Sequence, residues 1–248
     1  MLSPKPRSPH FQRVVEALAL ASPICLASRF ENGMAHCCEA SICGAAALQH
    51  WKIKARALPC AIVGQHPSID VVLAVGLNAR EIYARQGLHV ADADIGAFEL
   101  WLAEHGTNLP GEDRFAAHMV IEAQFQGDRA LIDLTFGQIR GSYGIPVSMH
   151  TIWYGPGWPA LEVDGWEIEY IDSPRAKQIA VEVGSYLDRG YVSDIKNLMD
   201  LALQCRGDMD TFHGALARAQ PEEFARAWNR IGALAGTFGT LPSSKGAS

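Results

Sequence analysis

The sequence predicts an α+β fold: a central helix beginning at Cys37, packed on an antiparallel sheet, with a C-terminal helical extension. Three observations carry this. Ala40, Ser41, Gly44, Ala45, Ala46 and Ala47 make a helix with little side-chain bulk, suited to close burial under a sheet. β-rich runs separated by turn signals fill much of residues 55–171. Beyond Ser173-Pro174 the hydrophobic period becomes helical and stays so.

The 248 residues are 48% hydrophobic and 19% charged, enough for one substantial core. With a formal net charge of -6 and no Lys/Arg cluster standing out along the chain, nucleic acid is not an expected partner. Glu16, Arg29 and Glu31 interrupt the one apolar stretch that approaches the roughly 18 residues needed to span a bilayer, so no membrane partner is expected. Lys5, Arg7 and Arg13 before residues 14–27 imitate a secretory signal, but Glu16 and Pro23 spoil its centre, and an amphipathic helix is the preferred reading. Cys25, Cys37, Cys38, Cys43, Cys60 and Cys205 lie in a chain too large to need stapling, and adjacent Cys37 and Cys38 suit a disulfide framework poorly. Free thiols in a reducing cytoplasm are expected.

In chain order, residues 4–9 read as a mobile leader. Phe11, Val14, Val15, Leu18 and Leu20 then give a helical period that Ser22-Pro23 ends. After the Cys37 helix, runs at 55–63 and 70–76 are joined by the turn signal His66-Pro67-Ser68 as a hairpin. Short helices are read at 78–86 and 97–105. Residues 115–125 alternate as a strand, Gln126-Gly127-Asp128 turns, and 130–134 resumes, so these two strands pair antiparallel. Strand material follows at 147–154 and 161–171, the second run folded at Asp164-Gly165, with Gly155-Pro156-Gly157-Trp158-Pro159 as a rigid loop between. Helices are read at 176–187, 192–205, 209–219 and 221–235, and 241–248 as a disordered tail.

The chemistry centres on His36-Cys37-Cys38-Glu39-Ala40-Ser41, His118 and Leu131-Ile132-Asp133-Leu134-Thr135. A thiolate is the reactive form of cysteine, and a helix N-terminus favours it through oriented N–H groups and a positive dipole end. The bland alternative is a buried Cys pair in a small-residue helix. Alternation places His118 on the strand face of Val120, opposite Met119 and Ile121, where a lone histidine can be a satisfied core group. Asp133, bracketed by apolar residues, must be paired or hydrogen-bonded, whether to an imidazole or by capping the turn at Thr135. The hairpin brings His118 and Asp133 onto neighbouring strands. An aspartate orienting an imidazole that deprotonates a thiol is the generalised triad.

These residues resemble the transglutaminase-like branch of the papain-like cysteine enzymes. That family has a Cys opening a central helix, an aliphatic residue and an Ala-Arg pair further on, a His on a strand, and an Asp within Leu/Ile-Ile-Asp-x-Thr. Cys37, Leu48, Ile53, Ala55 and Arg56 fall on the first part in register, His118 and Leu131 to Thr135 on the second, and Gln138 resembles the following Gln. The register selects Cys37 over Cys38, and the resemblance implies a structural hydrogen-bonding role for Glu39. Two departures stand out. Lys52 occupies a position usually Gly, and no aromatic residue directly follows His118.

The resemblance covers residues 32–138. It implies a papain-like, transglutaminase-like core at 1–174, leaving the helical extension at 175–240 and the tail at 241–248. It also implies Cys37 as nucleophile, His118 as general base and then acid, and Asp133 as the group fixing the imidazole; the Cys37 backbone N–H is the default oxyanion donor, with Asn32 a speculative second. The expected function is a cysteine-dependent hydrolase of the peptidase or amidase type, acting on a peptide, protein or small amide substrate through a thioacyl-enzyme. Acyl transfer with the same triad, or an inactive binding protein keeping the fold, are the alternatives. No metal or organic cofactor is required.

Zinc is the natural rival, with His36, Cys37, Cys38, Cys43, His50, Cys60 and His66 close in sequence. Consecutive ligands cannot all face one ion, and the spaced pairs of structural zinc are missing. Trp153-Tyr154-Gly155-Pro156-Gly157-Trp158 can line a substrate cleft beside the triad or anchor the sheet edge. Glu222, Glu223, Arg226 and Arg230 read as a solvated, salt-bridged helix face.

Overall fold

The structure, a computed structural model, describes residues 5–29, 36–66, 71–75, 118–136, 150–163, 165–174, 176–177 and 187–235. It is mixed α+β. The helices are α1 (Pro9–Arg29), α2 (Cys37–Gln49), α3 (Arg189–Gln204), α4 (Met209–Ala219) and α5 (Pro221–Ala235). The strands are β1 (Lys54–His66), β2 (Val71–Val75), β3 (His118–Phe125), β4 (Asp128–Asp133), β5 (Thr151–Tyr154), β6 (Ala160–Val163) and β7 (Trp166–Ile171). Hydrogen-bonded neighbours follow the order β5-β4-β3-β1-β7-β6, with β2 also on β1. The helices expected at 78–86 and 97–105, most of the one at 176–187, residues 115–117 and 147–149, and the tail at 241–248 lie outside the described residues.

Contacts divide the chain into two units that interleave along the sequence, Leu58–Met119 with Gly157–Ser185, and Leu2–Ala57 with Val120–Pro156 and Tyr186–Ser248. In the first unit the later part of β1 pairs antiparallel with β2, His66 opposite Val71, and with β7, Ala61 opposite Ile171. Strands β6 and β7 form a hairpin closing at Val163 and Trp166, with Gly165 at φ 81. Both hairpins were expected from their turn signals. Trp166, Ile168 and Tyr170 alternate inward along β7.

The second unit is built on the β3–β4 hairpin. Gln126 and Gly127 have φ of 50 and 88, the two positive values a tight two-residue turn of matching twist demands, and Phe125 pairs with Asp128. Strand β5 adds to β4, Asp133 opposite Thr151 and Ala130 opposite Tyr154. One face of these strands, with Ile121, Ala123, Ala130, Ile132 and Leu134, joins a core shared with α1, α2 and the last three helices. The helices expected as an extension after residue 174 thus insert Tyr191, Ile195, Met199, Phe212, Leu216 and Phe224 into the same core as Leu18 and Leu48. Their starts follow capping rules: Asp188 accepts the Tyr191 N–H at 3.0 Å and Asp208 that of Thr211 at 2.8 Å.

Three expectations for the helices and leader are corrected. Helix α1 does not end at Ser22-Pro23 but continues to Arg29 with Pro23 inside. Proline costs about 3 kcal/mol within a helix, while burying Ile24 and Leu26 returns about 1.5–3 kcal/mol each, which decides the outcome. Nor is α1 amphipathic throughout: Gln12, Arg13, Glu16 and Leu20 form one less buried face in its first half, and from Ala21 to Ala27 every position is buried. By length and composition α1 is apolar enough to cross a membrane, and 72% of that stretch is buried in the fold, as in a core helix. The leader is tied down where it is described: the Arg7 and Ser8 N–H groups donate to Asp128 at 3.1 and 2.7 Å, and Ser8 Oγ accepts from Phe11 N–H at 3.2 Å.

Candidate functional site

Cys37 is the first residue of α2 and is 7% exposed. The N-cap His36 makes no side-chain cap, so the first-turn N–H groups are not taken up by it. Instead His36 Nδ1 lies 3.2 Å from Glu39 Oε1. Gly44 fixes how α2 lies: a Cβ there would stand 2.8 Å from Ile121 Cδ1 and 3.0 Å from Leu134 Cδ1, so only glycine lets the helix approach the hairpin this closely. At about 100° per residue, Cys37, Ser41, Gly44 and Leu48 form one stripe facing β3 and β4, whereas Cys38 is turned about a quarter-circle away.

The direction of α2 follows from its other end. The chain leaves the helix in a Schellman turn, Lys52 N–H to Gln49 O at 3.0 Å and Ile53 N–H to Leu48 O at 3.3 Å, with Lys52 at φ 61. Lys52 is the departure from glycine noted in the sequence, and the left-handed conformation explains why glycine suits the position. Lys52 and Lys54 share a cavity with Gln126 and Gly127, so the C-terminal end of α2 lies at the turn of the hairpin. Its N-terminus therefore points along the hairpin to the open end, where β4 finishes at Asp133.

Asp133 is 1% exposed. Its Oδ1 accepts the Thr135 N–H at 2.9 Å and lies 3.5 Å from Thr135 Oγ1, so the turn-capping role is real. Continuing the Ile121↔Ile132 register by one residue sets Asp133 across from Val120. His118 opens β3 at 4% exposure and, by alternation, shares a strand face with Val120. His118 belongs to the first unit, whereas Cys37 and Asp133 belong to the second.

Sequence reasoning passed over His150, which sits beside Thr151, the partner of Asp133. Burial pushes its imidazole pKa below the usual histidine value and the Asp133 charge pulls it back up. Its Nδ1 is buried without a hydrogen-bond partner among the described residues. No sequence signal marks it, since it falls inside an ordinary strand-like run. Arg56, matched by the family pattern, reaches Glu122 Oε2 at 2.8 Å, and Arg129 reaches Glu122 Oε1 at 2.8 Å. Burial raises the Glu122 carboxyl, but the two guanidinium groups outweigh it and hold it below the usual range.

The six cysteines are free thiols. Burial pushes the Cys25 thiol far up and also raises Cys43, whose sulfur accepts the Asp188 N–H at 3.4 Å, so neither is suited to thiolate chemistry. Among the described residues no three His, Cys, Asp or Glu side chains converge as metal ligands would. The aromatic loop divides: Trp153 pairs with Leu131, two residues from Asp133 on the same strand face, whereas Tyr154 pairs with Ala130, and Gly155 and Pro156 line the cavity at the turn end. Arg230 is not part of a salt-bridged face either, since its Nη1 donates to Ala27 O at 2.7 Å and Ser28 O at 3.3 Å, closing α1. Asn32 and Gln138 lie outside the described residues. No protein-family model, curated protein or solved structure matches the chain.

Proposed function

We propose that the protein is a cysteine-dependent hydrolase of amide or related acyl bonds, built on a papain-like, transglutaminase-like arrangement of Cys37, His118 and Asp133. The observation that carries this reading is that Cys37 opens α2, the helix that meets the β3–β4 hairpin at Gly44, while His118 and Asp133 are buried toward the open end of that hairpin, on the strand face that alternates with Ile121 and Ile132. His118 takes the thiol proton, and the sulfur attacks the acyl carbonyl. The imidazolium, held by Asp133, returns the proton to the departing amine as the tetrahedral oxyanion collapses to a thioacyl-enzyme. Water, deprotonated by the same imidazole, releases the acid and restores the thiol. The Cys37 N–H at the helix N-terminus is the default oxyanion donor.

His150 favours a second assignment of the base, because it shares a unit with Cys37 and Asp133 and feels the aspartate charge. Intact-mass analysis after incubation with a panel of activated esters and amides separates these readings. A single acyl adduct is expected, lost in Cys37→Ala and kept in Cys38→Ala. His118→Ala should slow its formation by about 10²–10⁴-fold, with His150→Ala near wild type. The reverse ranking assigns the base to His150. Adduct formation that survives Cys37→Ala, or equal iodoacetamide labelling of the Cys37→Ala and Cys38→Ala variants at mildly acidic pH, sinks the thiol mechanism.

A further inference from the structure

We propose that the cavity at the turn end of the β3–β4 hairpin binds a small molecule carrying two phosphate groups. It is a solvent-open depression of about 840 Å³, a volume within the range of small-molecule sites. Its cations come from three separate parts of the chain: Lys5 and Arg7 before α1, Lys52 after α2 with Lys54 opening β1, and Arg129 on β4. A chain of formal charge -6 has here gathered a local positive excess.

The charge balance sets the ligand. Asp128, the only carboxylate lining the cavity among the described residues, is already engaged by the N–H groups of Arg7 and Ser8. Arg129 is shared with Glu122. The other four cations form no ion pair among the described residues, and set against Asp128 they leave a surplus of three, 4 − 1. Each phosphate group carries about 1.5–2 negative charges near neutrality, so two match the surplus and one does not. A compact dianionic pair also suits a concave site better than an extended acidic peptide, which spreads its charge along a groove. The site is distinct from the proposed nucleophile, because the 13 residues of α2, about 20 Å of helix, separate Lys52 from Cys37.

Isothermal titration calorimetry of the full chain with pyrophosphate, orthophosphate and a hexaglutamate peptide at constant ionic strength tests the proposal. Pyrophosphate should bind at least about tenfold tighter than either of the others, as two added charge-assisted contacts imply. The double variant Lys52→Gln/Lys54→Gln should weaken it at least about tenfold, with Cys37→Ser unchanged. Lys52→Gly separates binding from folding: it removes the cation while relieving a left-handed lysine, so affinity should fall with no drop in melting temperature. An ADP arm asks whether more than the two phosphates is read, and either ranking against pyrophosphate supports the site provided the double variant weakens both. Equal affinity for orthophosphate, tighter binding of hexaglutamate, or indifference to the double variant overturns it.

Discussion

Gly44→Ala places a methyl carbon 2.8 Å from Ile121 Cδ1 and 3.0 Å from Leu134 Cδ1, where ordinary carbon contacts are about 3.5–4.0 Å. Ile121 and Leu134 are 0% and 1% exposed, so neither methyl can swing out to solvent. Replacing a mid-helix glycine by alanine gains about 1 kcal/mol in helix propensity. Overpacking a closed core costs about 1–3 kcal/mol. The net expectation is a loss of roughly 1 kcal/mol, the opposite sign to that of an exposed Gly→Ala change. Ile121→Val removes the nearer obstructing carbon at about 0.5–1.5 kcal/mol. In the double variant the two changes should offset each other, with a favourable coupling of about 1 kcal/mol or more. Urea denaturation of the four species, followed by circular dichroism, reads the cycle. Additive effects, or a Gly44→Ala protein more stable by the full propensity gain, mean that α2 does not lie on the hairpin at Gly44. The placement of Cys37 over its open end then fails as well.

Glu122→Gln should destabilise the protein at neutral pH by about 1–3 kcal/mol, as expected for hydrogen bonds to charged groups, with the 67%-exposed Arg56 contributing the smaller part. Because the carboxyl is held below its ordinary value of 4.5, its stabilisation is present above that pH and lost as pH falls through the folded value. Denaturation midpoints of wild type and variant should therefore converge in acid, and a constant gap from pH 7 to 3 refutes the charge argument. His213 is packed among Phe212, Phe224 and Trp228, its ring 4.6 Å from that of Trp228, and burial lowers its pKa while Asp210 opposes the shift. The unfolded chain then takes up the proton first as pH drops below the ordinary value of 6.5, so stability declines there. His213→Phe should flatten that segment of the stability profile, and an unchanged slope between pH 7 and 5 contradicts it.

Local signals were legible wherever a conformation is dictated by a few adjacent residues. Gln126-Gly127 specified its hairpin, Gly165 the β6–β7 turn, and the limits of α4 and α5 coincide with the sequence reading. What was not legible depends on partners remote in sequence. Pro23 breaks an isolated helix, but the residues after it are buried beneath later helices of the same core, which no local pattern announces. Arg230 reads as one member of a charged face until the end of α1, some two hundred positions earlier, supplies the carbonyls it caps. The basic cavity escaped for the same reason, since its cations are scattered over more than a hundred positions and only the fold collects them. Of the candidate site, Cys37 and Asp133 were legible from type and position, whereas His150 gave no sequence signal.

The magnitudes at Asp133 argue that the open end of the hairpin is more than a capped turn. Leaving a carboxylate in an apolar setting costs several kcal/mol even after relaxation. The side-chain cap at Thr135 is of a kind worth about 1 kcal/mol and could be made by asparagine or serine without a charge to bury. At 1% exposure Asp133 therefore keeps partners beyond that cap. On the proposed mechanism the acid also faces an imidazole that becomes positive during the reaction, an interaction that gains most where water is excluded. Asp133→Asn therefore separates the two roles: the amide oxygen can keep the Thr135 N–H, leaving stability within about 1 kcal/mol of wild type, while acylation of Cys37 falls by orders of magnitude because nothing holds the imidazolium. Loss of stability and of acylation in proportion assigns Asp133 to the fold alone.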